Sequence, residues 1–296
     1  MDNDHPFIDA GIPVSKKMKT ININGTLHDL STPLVMGIIN ITPDSFFPGS
    51  RKQSEAAIID RCREITDEGG KIIDIGAQST SPVSKLLTAA EEAERLMPAL
   101  KLIRREFPEA VLSVDTFYAD IARQSVEAYG VNIINDISGG QIDPQMFPAV
   151  AALQVPYILM HMRGVPQTMQ QQTDYEHFIQ EILFYFSERK ARLNLLGVND
   201  IIIDPGFGFS KTVSQNYELM ASLKYFHIFD EPILVGISRK SMIYKLLGST
   251  PEGSLNGTAI LNTVALLSGA NILRVHDVKE AVECVKIVEK LKEFDK

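Results

Sequence analysis

Short apolar runs recur along the chain, and most of them end in a polar or charged residue. Asn40 follows the run 34–39, Asp115 follows the run 111–114, and Asp204 follows the run 201–203. The runs are rich in Ile, Val and Leu without clean alternation, which is typical of parallel strands that are buried on both faces. The pattern predicts strands at 34–39, 72–76, 111–114, 132–134, 156–160, 201–203, 232–237 and 271–275.

Longer amphipathic stretches separate the strands and predict helices. They lie at 52–68, 88–106, 119–129, 144–153, 174–196, 214–224, 254–268 and 278–293. Strands that alternate with helices in this way favour an α/β fold of the TIM (β/α)8 barrel type, with all strands parallel. An open doubly wound sheet is the alternative, but its Gly-x-Gly-x-x-Gly turn after the first strand is absent from the sequence.

The segment 21–27 alternates apolar and polar residues around Asn24-Gly25, which is the strongest short hairpin signal. We expect an N-terminal β-hairpin that caps the bottom of the barrel. Residues 1–18 then form an N-terminal tail, and residues 19–296 form a single barrel domain, since no low-complexity linker divides them.

Charge and cysteine content exclude several classes of function. The net charge of -8 argues against a broad nucleic-acid surface, so an anionic substrate must be met by a local cluster of Lys, Arg or metal. Cys62 and Cys284 lie far apart and show no Cys-x-x-Cys spacing, which favours a reducing cytoplasm. No stretch offers the ~18 uninterrupted apolar residues of a membrane span. We expect a soluble, unexported protein with no nucleic-acid or membrane partner.

The polar strand ends carry the functional prediction. Any one of them is readily explained as a helix cap or loop residue, but so many coincident ends predict buried polar groups that a ligand satisfies. The residues at or just beyond the strand ends are Asn40, Asp74, Gln78, Asp115, Asn135, Asp136, His161, Asp204, Ser238, Lys240, Arg274 and His276.

The residue types constrain the ligand. Asp115, Asn135 and Asp204 supply acceptors and an amide that suit the edge of a flat nitrogen heterocycle. Lys240, Arg274 and His276 bring positive charge to the last strands, where such barrels frequently hold phosphate. The segment 204–209 (DPGFGF) adds glycines for close backbone approach and aromatic rings for stacking, although a tight turn with packed Phe explains it about as well.

The chain resembles a known family at several ordered segments. Residues 36–46 (MGIINITPDSF) and 73–76 (IDIG) with Ser79-Thr80 resemble the two signature segments of dihydropteroate synthases. The resemblance continues, in the family's order and spacing, through 113–116, 134–137, 160–162, 204–212, 236–241 and 274–277. It covers essentially residues 20–294.

The resemblance implies a transferase of folate biosynthesis. In this reaction p-aminobenzoate displaces diphosphate from 6-hydroxymethyl-7,8-dihydropterin diphosphate to give 7,8-dihydropteroate. By similarity, Asp115, Asn135, Asp204 and Lys240 hold the pterin. Asn40 binds a Mg²⁺ cofactor, while Arg274 and His276 grip phosphate oxygens.

Similarity also extends to the remaining site residues. Thr80 lies near the reacting carbon, Phe209 lies near the aniline ring, and Ser238 joins the substrate-binding set. Thr80, Lys240 and Arg274 are the expected catalytic residues, and His161 is expected to be structural rather than a general base. Family members are typically cytoplasmic homodimers and targets of sulfonamides.

Three departures from the family pattern leave alternatives open. Pro48 stands where an acidic or small polar residue is usual, Ser81 replaces an arginine, and Ser210 replaces a glycine. Serine lacks the charge and the donor fork of arginine, and Arg51 is a possible substitute. A non-catalytic pterin-binding paralogue and a pterin-dependent methyltransferase are the alternative functions.

Two further segments have local interpretations. Glu91, Glu92 and Glu94 are expected on a solvated helix face near a helix N-terminus. The run 182–186 (ILFYF) fits either a dimer surface or a helix packed on the barrel.

Overall fold

The computed structural model describes residues 19–41, 51–78 and 86–294, and of residues 51–53 it describes only the backbone. The predicted tail, Thr80 and the departures at Pro48 and Ser81 lie outside the described residues. Within the described part, no helix combines the length and the apolarity needed to cross a membrane.

Eight parallel strands form the centre of the molecule. In the order in which neighbours are hydrogen-bonded, they are Ile201–Asp204, Tyr157–Met160, Ile133–Asp136, Leu112–Asp115, Ile72–Gly76, Leu34–Asn40, Ile272–Val275 and Leu234–Val235. An isolated parallel bridge between Ile203 and Ile233 joins the two ends of the sheet, which is thereby nearly closed. The predicted TIM barrel is confirmed. The strands are β3 (Leu34–Asn40), β4 (Ile72–Gly76), β5 (Leu112–Asp115), β6 (Ile133–Asp136), β7 (Tyr157–Met160), β8 (Ile201–Asp204), β9 (Leu234–Val235) and β10 (Ile272–Val275).

Helices follow the strands on the outside of the barrel. They are α1 (Arg51–Asp67), α2 (Ala89–Glu106), α3 (Ala119–Tyr129), α4 (Met146–Leu153), α5 (Phe178–Leu195), α6 (Val213–Ala221), α7 (Ser241–Leu247), α8 (Leu255–Leu267) and α9 (Val278–Lys292). The helix α7 is not among the predicted helices, because its seven residues are too few to show clear periodicity. The predicted helix 214–224 ends earlier, at Ala221, and a 3-10 helix follows over Leu223–Phe229.

An antiparallel hairpin, β1 (Thr20–Ile23) and β2 (Thr26–Asp29), precedes the barrel. Asn24 and Gly25 both have positive φ, 51° and 80°, as a two-residue hairpin turn of this kind requires. Ile21 and Ile23 pack with residues from the first halves of the barrel strands, such as Met36 and Ile72. The predicted hairpin cap at the bottom is confirmed.

The helix α5 packs on the barrel through much of the apolar run 182–186. Ile182 and Phe186 are fully buried, and only Phe184 in this run is largely exposed, at 71%. Of the two interpretations offered by the sequence, packing against the barrel accounts for this run.

Strand register brings the polar ends together at the opposite, carboxyl-terminal end of the barrel. Asn40 pairs in register with Gly76, Gly76 with Asp115, and Asp115 with Asn135. These positions therefore form one level across four neighbouring strands, and the glycine at this level leaves Asp115 room: a Cβ added to Gly76 would lie 3.1 Å from the Asp115 Cβ.

Candidate active site

One pocket of about 180 Å³ opens at this end of the barrel. Its lining includes all of the predicted binding residues that the structure describes, and Gln78, Ile137, Met160 and Gly236 lie in the same wall. The predicted residues that it brings together are Asn40, Asp115, Asn135, Asp204, Phe209, Ser238, Lys240, Arg274 and His276. These nine predicted residues lie on six different strands or in the loops directly after them, and they line one site.

Arg274 is joined to two carboxylates at the floor of the pocket. Its Nε donates to Asp74 Oδ2 at 2.6 Å, and its Nη2 donates to Asp115 Oδ2 at 2.8 Å. Asn135 Nδ2 also donates to Asp74 Oδ2, at 3.1 Å. Because Asp74 is fully buried, its charge-assisted bonds fix both the guanidinium and the amide from below.

Asp74 is one of the polar residues predicted near a strand end, but the sequence indicates no role for it in the site. The signal was its position: a carboxylate in the middle of the apolar run 72–76 must be paired when it is buried. Its partners, Arg274 and Asn135, lie on strands distant in sequence, so the sequence does not predict which residues pair with Asp74.

The floor also sets the charge states of its members. Burial raises the pKa of Asp115 to about 7, and Arg274 opposes that shift. Burial lowers the pKa of Arg274, but the carboxylates of Asp74 and Asp115 outweigh this effect and raise it overall. Arg274 is therefore a permanent positive charge, whereas Asp115 titrates near neutral pH.

Lys240 lies between the carboxylate of Asp204 and the ring of Phe209. Its Nζ donates to the carbonyl oxygen of Phe207 and lies 4.6 Å from the centroid of the Phe209 ring, as a cation–π contact requires. Burial lowers the pKa of Lys240 to about 8, with Asp204 opposing. Burial also raises the pKa of Asp204, whose Oδ1 accepts a hydrogen bond from the Gly206 N–H at 2.8 Å.

His276 and Ser238 lie side by side at the ends of β10 and β9. Ser238 Oγ accepts a hydrogen bond from the His276 N–H at 3.1 Å. Burial, followed by the charge of Arg274, lowers the pKa of His276 to about 4. The imidazole is therefore neutral at pH 7 without a ligand, which corrects the expectation that His276 brings positive charge to the pocket.

Asn40 ends β3 and is exposed where the pocket opens. In the ranges that the structure describes, no group of three or more His, Cys, Asp or Glu side chains is arranged to hold a metal ion. Mg²⁺ is often bound by one or two protein oxygens together with substrate phosphates and water. The amide oxygen of Asn40, on the same pocket as Arg274 and His276, fits this type of site and not a closed protein cage.

Glu92 is fully buried, so its prediction as part of a solvated helix face is wrong. Its Oε2 accepts a hydrogen bond from Gln78 Nε2 at 2.7 Å, and burial raises its pKa to about 7. Gln78 also bonds the backbone of Leu87, with its Nε2 donating to the carbonyl at 3.0 Å and its Oε1 accepting from the N–H at 3.1 Å. Nothing in the local sequence distinguishes Glu92 from Glu91 and Glu94. The difference arises from Gln78, which follows β4 and lies outside the helix that contains Glu92.

Two polar strand-end residues face other partners. Asp136 Oδ2 accepts hydrogen bonds from the Tyr157 hydroxyl at 2.7 Å and from the Gly140 N–H at 2.8 Å. His161 is buried, with its Nδ1 at 3.0 Å from Lys211 Nζ, and burial holds its pKa well below the usual value. Neither side chain lines the pocket that contains Asp115 and Arg274.

Comparison with known proteins gives a consistent relationship. The sequence model of the pterin binding enzyme family matches residues 36–276. The chain is 42% identical over 267 residues to the dihydropteroate synthase of Escherichia coli strain K12, an alignment that covers 90% of this chain and 94% of that protein.

Solved structures agree with the sequence relationship. The dihydropteroate synthase of Yersinia pestis in complex with a sulfonamide drug superposes with a TM-score of 0.85 at 37% identity, covering 93% of this chain and 99% of that one. The dihydropteroate synthase of Xanthomonas albilineans with 4-aminobenzoic acid gives a TM-score of 0.83 at 33% identity, covering 93% and 98%.

Proposed function

The chain belongs to the pterin binding enzyme family, among the dihydropteroate synthases, and we propose that its pocket condenses 6-hydroxymethyl-7,8-dihydropterin diphosphate with p-aminobenzoate. The products are 7,8-dihydropteroate and diphosphate, and the enzyme is a transferase of folate biosynthesis. The observation that carries this assignment is the meeting of Asp115, Asn135 and Asp204 with Lys240 and Arg274 in one pocket.

The pterin ring fits the acceptor-rich side of the pocket. A pterin presents an amino-pyrimidinone edge with neighbouring N–H donors, and a carboxylate accepts two such bonds in parallel. Asp204 serves this edge, since the Gly206 N–H fixes the orientation of its carboxylate. Asn135, held by Asp74, and Asp115, held by Arg274, then meet the remaining polar atoms of the ring.

The diphosphate fits the side formed by β9 and β10. A guanidinium has five N–H donors, so the bonds of Arg274 to Asp74 and Asp115 leave donors for a phosphate oxygen. Lys240 adds a second positive charge. His276 adds an imidazole N–H donor, and the negative charge of a bound diphosphate would raise the pKa of that imidazole. We propose that Asn40 binds Mg²⁺ here, which when bound would supply further positive charge to the leaving group.

The reaction needs no protein nucleophile. The nitrogen of p-aminobenzoate forms a bond to the exocyclic carbon of the pterin, and the bond from that carbon to diphosphate oxygen breaks with its electron pair leaving on diphosphate. The amine releases its proton to solvent or to the leaving group. Lys240 and Arg274 stabilise the negative charge that develops on the departing oxygens, and Phe209 contacts the aniline ring. Thr80, predicted near the reacting carbon, completes this proposed set.

A product assay tests the proposed function. Purified protein with Mg²⁺, the pterin diphosphate and labelled p-aminobenzoate should yield labelled dihydropteroate, and omission of the pterin diphosphate should abolish the label. Absence of product from all mixtures would refute the proposal. If calorimetry then showed normal binding of the pterin diphosphate, the non-catalytic paralogue would be the correct function. Methyl transfer from a methylated folate to a corrinoid protein would instead establish the methyltransferase.

We also propose that the chain forms a homodimer through α8. Ile260, Val264 and Leu267 recur at helical spacing on one side of α8 and are exposed by 39–59%. The neighbouring helices α7 and α9 present exposed Leu247 and Ile287. Exposed apolar side chains on three helices that contact one another support an interface between protein chains here.

Light scattering after size exclusion tests the dimer. The native chain should be dimeric, and Ile260→Glu should convert it to a monomer. Phe184→Glu is the matched control, because Phe184 is an even more exposed apolar residue on α5, and this variant should remain dimeric. A monomeric native chain, or loss of the dimer in Phe184→Glu alone, would refute this surface.

The remaining proposals concern inhibition and location. We propose that sulfonamides compete with p-aminobenzoate at this pocket, since a related dihydropteroate synthase has been solved with such a drug. We propose a cytoplasmic location, which agrees with the two buried thiols of Cys62 and Cys284.

A further inference from the structure

The loop after β8, residues 205–211, carries Phe209 into the pocket but is fastened from outside it. Ser210 and Lys211, the two residues after Phe209, are both buried and both contact the segment after β7. We name these two side chains, together with their partners His161 and Arg163, the loop clasp. None of the four lines the pocket that contains Phe209.

Ser210 makes the first half of the loop clasp. Its Oγ accepts a hydrogen bond from the Arg163 N–H at 2.8 Å and donates to the Arg163 carbonyl at 2.9 Å. The Tyr175 hydroxyl donates to the Ser210 carbonyl at 2.9 Å. Ser210 has a φ of 52°, in the left-handed region that serine adopts less readily than glycine. The hydroxyl bonds offset this backbone cost, which a glycine would avoid.

Lys211 makes the second half. Its Nζ donates to the carbonyls of Gly206 at 2.9 Å and Phe209 at 3.0 Å, and lies 3.0 Å from His161 Nδ1. These partners match the three donors of an ammonium group. The loop and the β7 segment approach closely here, since a Cβ added to Gly206 would meet the His161 carbonyl oxygen at 2.0 Å.

We propose that Ser210 and Lys211 are positioning residues that hold Phe209 beside Lys240 and thereby set the affinity for p-aminobenzoate. The Phe209 N–H donates to the Gly206 carbonyl at 3.1 Å and the Phe209 carbonyl accepts from Lys211 Nζ, so its backbone is held on both sides. A preorganised contact residue lowers the entropy that binding must remove. This inference rests on the proposed function, because it assigns the aniline ring to Phe209.

The two halves of the loop clasp differ in the parts of the pocket to which hydrogen bonds link them. Lys211 bonds the Gly206 carbonyl, while the Gly206 N–H bonds Asp204, so Lys211 is linked to the pterin side of the pocket. Ser210 instead contacts Arg163. Among the residues that the structure describes, no hydrogen bond joins Arg163 to Asp204, Asp74 or Arg274. We therefore expect Ser210 to affect p-aminobenzoate alone and Lys211 to affect both substrates.

Ser210→Gly is the decisive variant, because glycine adopts the left-handed backbone readily and removes the small side chain that carries the hydroxyl. We expect the KM for p-aminobenzoate to rise about three- to tenfold, which is the value of one or two neutral hydrogen bonds, with kcat and the KM for pterin diphosphate unchanged. Gln154→Gly is the matched control: Gln154 also has a left-handed φ, of 54°, but it caps α4 away from the pocket. Its kinetic constants should equal those of the native enzyme.

Lys211→Met keeps an unbranched side chain of nearly the same length and removes the ammonium donors. We expect the KM of both substrates to rise in this variant, provided that it folds. A rise in Ser210→Gly that is confined to the KM for p-aminobenzoate is an effect that general destabilisation would not produce. An unchanged p-aminobenzoate KM in Ser210→Gly would overturn the proposal, as would an equal rise of both KM values.

Hydrogen exchange supplies a readout that does not depend on activity. In Ser210→Gly, peptides that contain the amides of Arg163 and Phe209 should exchange faster than in the native chain, whereas those from β4 should not change. Unchanged exchange at Phe209 would overturn the positioning role. If the native chain made no dihydropteroate, the proposed function would fail, and exchange at Phe209 would still decide whether the loop clasp positions that residue.

Discussion

Replacing Asp74 by asparagine removes one charge from the pocket floor while preserving the shape of the side chain. Asp74 Oδ2 accepts from Arg274 Nε at 2.6 Å and from Asn135 Nδ2 at 3.1 Å, whereas Oδ1 is buried with no hydrogen-bond partner among the residues that the structure describes. An asparagine must therefore place its oxygen at the Oδ2 position and its NH₂ group at the Oδ1 position. The bonds to Arg274 and Asn135 survive in geometry, but the Asn135 bond becomes neutral and the Arg274 guanidinium loses an anionic acceptor.

The magnitude follows from the difference between the two kinds of hydrogen bond. A bond to a charged group contributes about 1.5–3 kcal/mol and a neutral one about 0.5–1.5 kcal/mol. The cost of an unpaired atom at the Oδ1 position exists already in the native chain, so its change is small. We expect Asp74→Asn to lower the free energy of unfolding by about 1–2 kcal/mol. With one of its two carboxylate anchors weakened, Arg274 should also bind diphosphate less well, raising the KM for pterin diphosphate by about tenfold.

Urea denaturation and steady-state kinetics measure both effects. Asp120→Asn is the matched control, because Asp120 pairs with Arg123 on the surface and its side chain is 77% exposed. Exposed pairs of this kind contribute about 0–1 kcal/mol, so the control should resemble the native chain in stability and in KM. The reasoning is refuted if Asp74→Asn is as stable as the control and keeps the native KM.

Three further predictions concern the pocket itself. Asp204→Asn should weaken pterin binding by about tenfold or more in calorimetry, because its oxygen is drawn to the Gly206 N–H and its NH₂ then faces the ring donors; unchanged affinity would disprove the assignment. The kcat/KM should fall below about pH 7, where Asp115 gains a proton, and above about pH 8, where Lys240 loses one. A flat profile between pH 6 and 9 would contradict these roles, and Lys240→Arg should move only the alkaline limb. Asn40→Ala should raise the Mg²⁺ concentration for half-maximal activity by about tenfold, the value of one lost ligand contact, and an unchanged requirement would exclude Asn40 as a ligand.

The barrel and the grouping of its polar ends could be predicted because both follow from local patterns. Apolar runs of strand length, separated by helical periodicity, specify parallel strands, and parallel strands place their carboxyl ends on one side. The nine predicted binding residues that the structure describes therefore line one pocket, although their contacts could not be known from the sequence. The short helix α7 was missed because seven residues are too few to establish a period.

Charge states and pairings could not be predicted, because they depend on neighbours from other strands. The formal charge of His276 is the clearest case: its sequence context beside Arg274 indicates a phosphate-binding cation, yet the same arginine and the burial together keep it neutral at pH 7. Glu92 is a second case, since three similar glutamates begin α2 and only one turns towards Gln78. Local sequence gives the residue type but not the electrostatic surroundings.

The floor of the pocket contains two carboxylates although the substrate is an anion. Asp74 and Asp115 occupy two bonds of Arg274 and hold its guanidinium in one orientation, which a lone buried arginine could not maintain. Burial raises the pKa of Asp115 and the charge of Arg274 opposes that shift, so the charge of the floor depends on one shared arginine. With the proposed roles of these residues, we expect recognition of the heterocycle and release of the leaving group to be coupled through Arg274. A double mutant of Asp74→Asn and Asp204→Asn should show non-additive losses in pterin diphosphate affinity, and strictly additive losses would show that the two sides act independently.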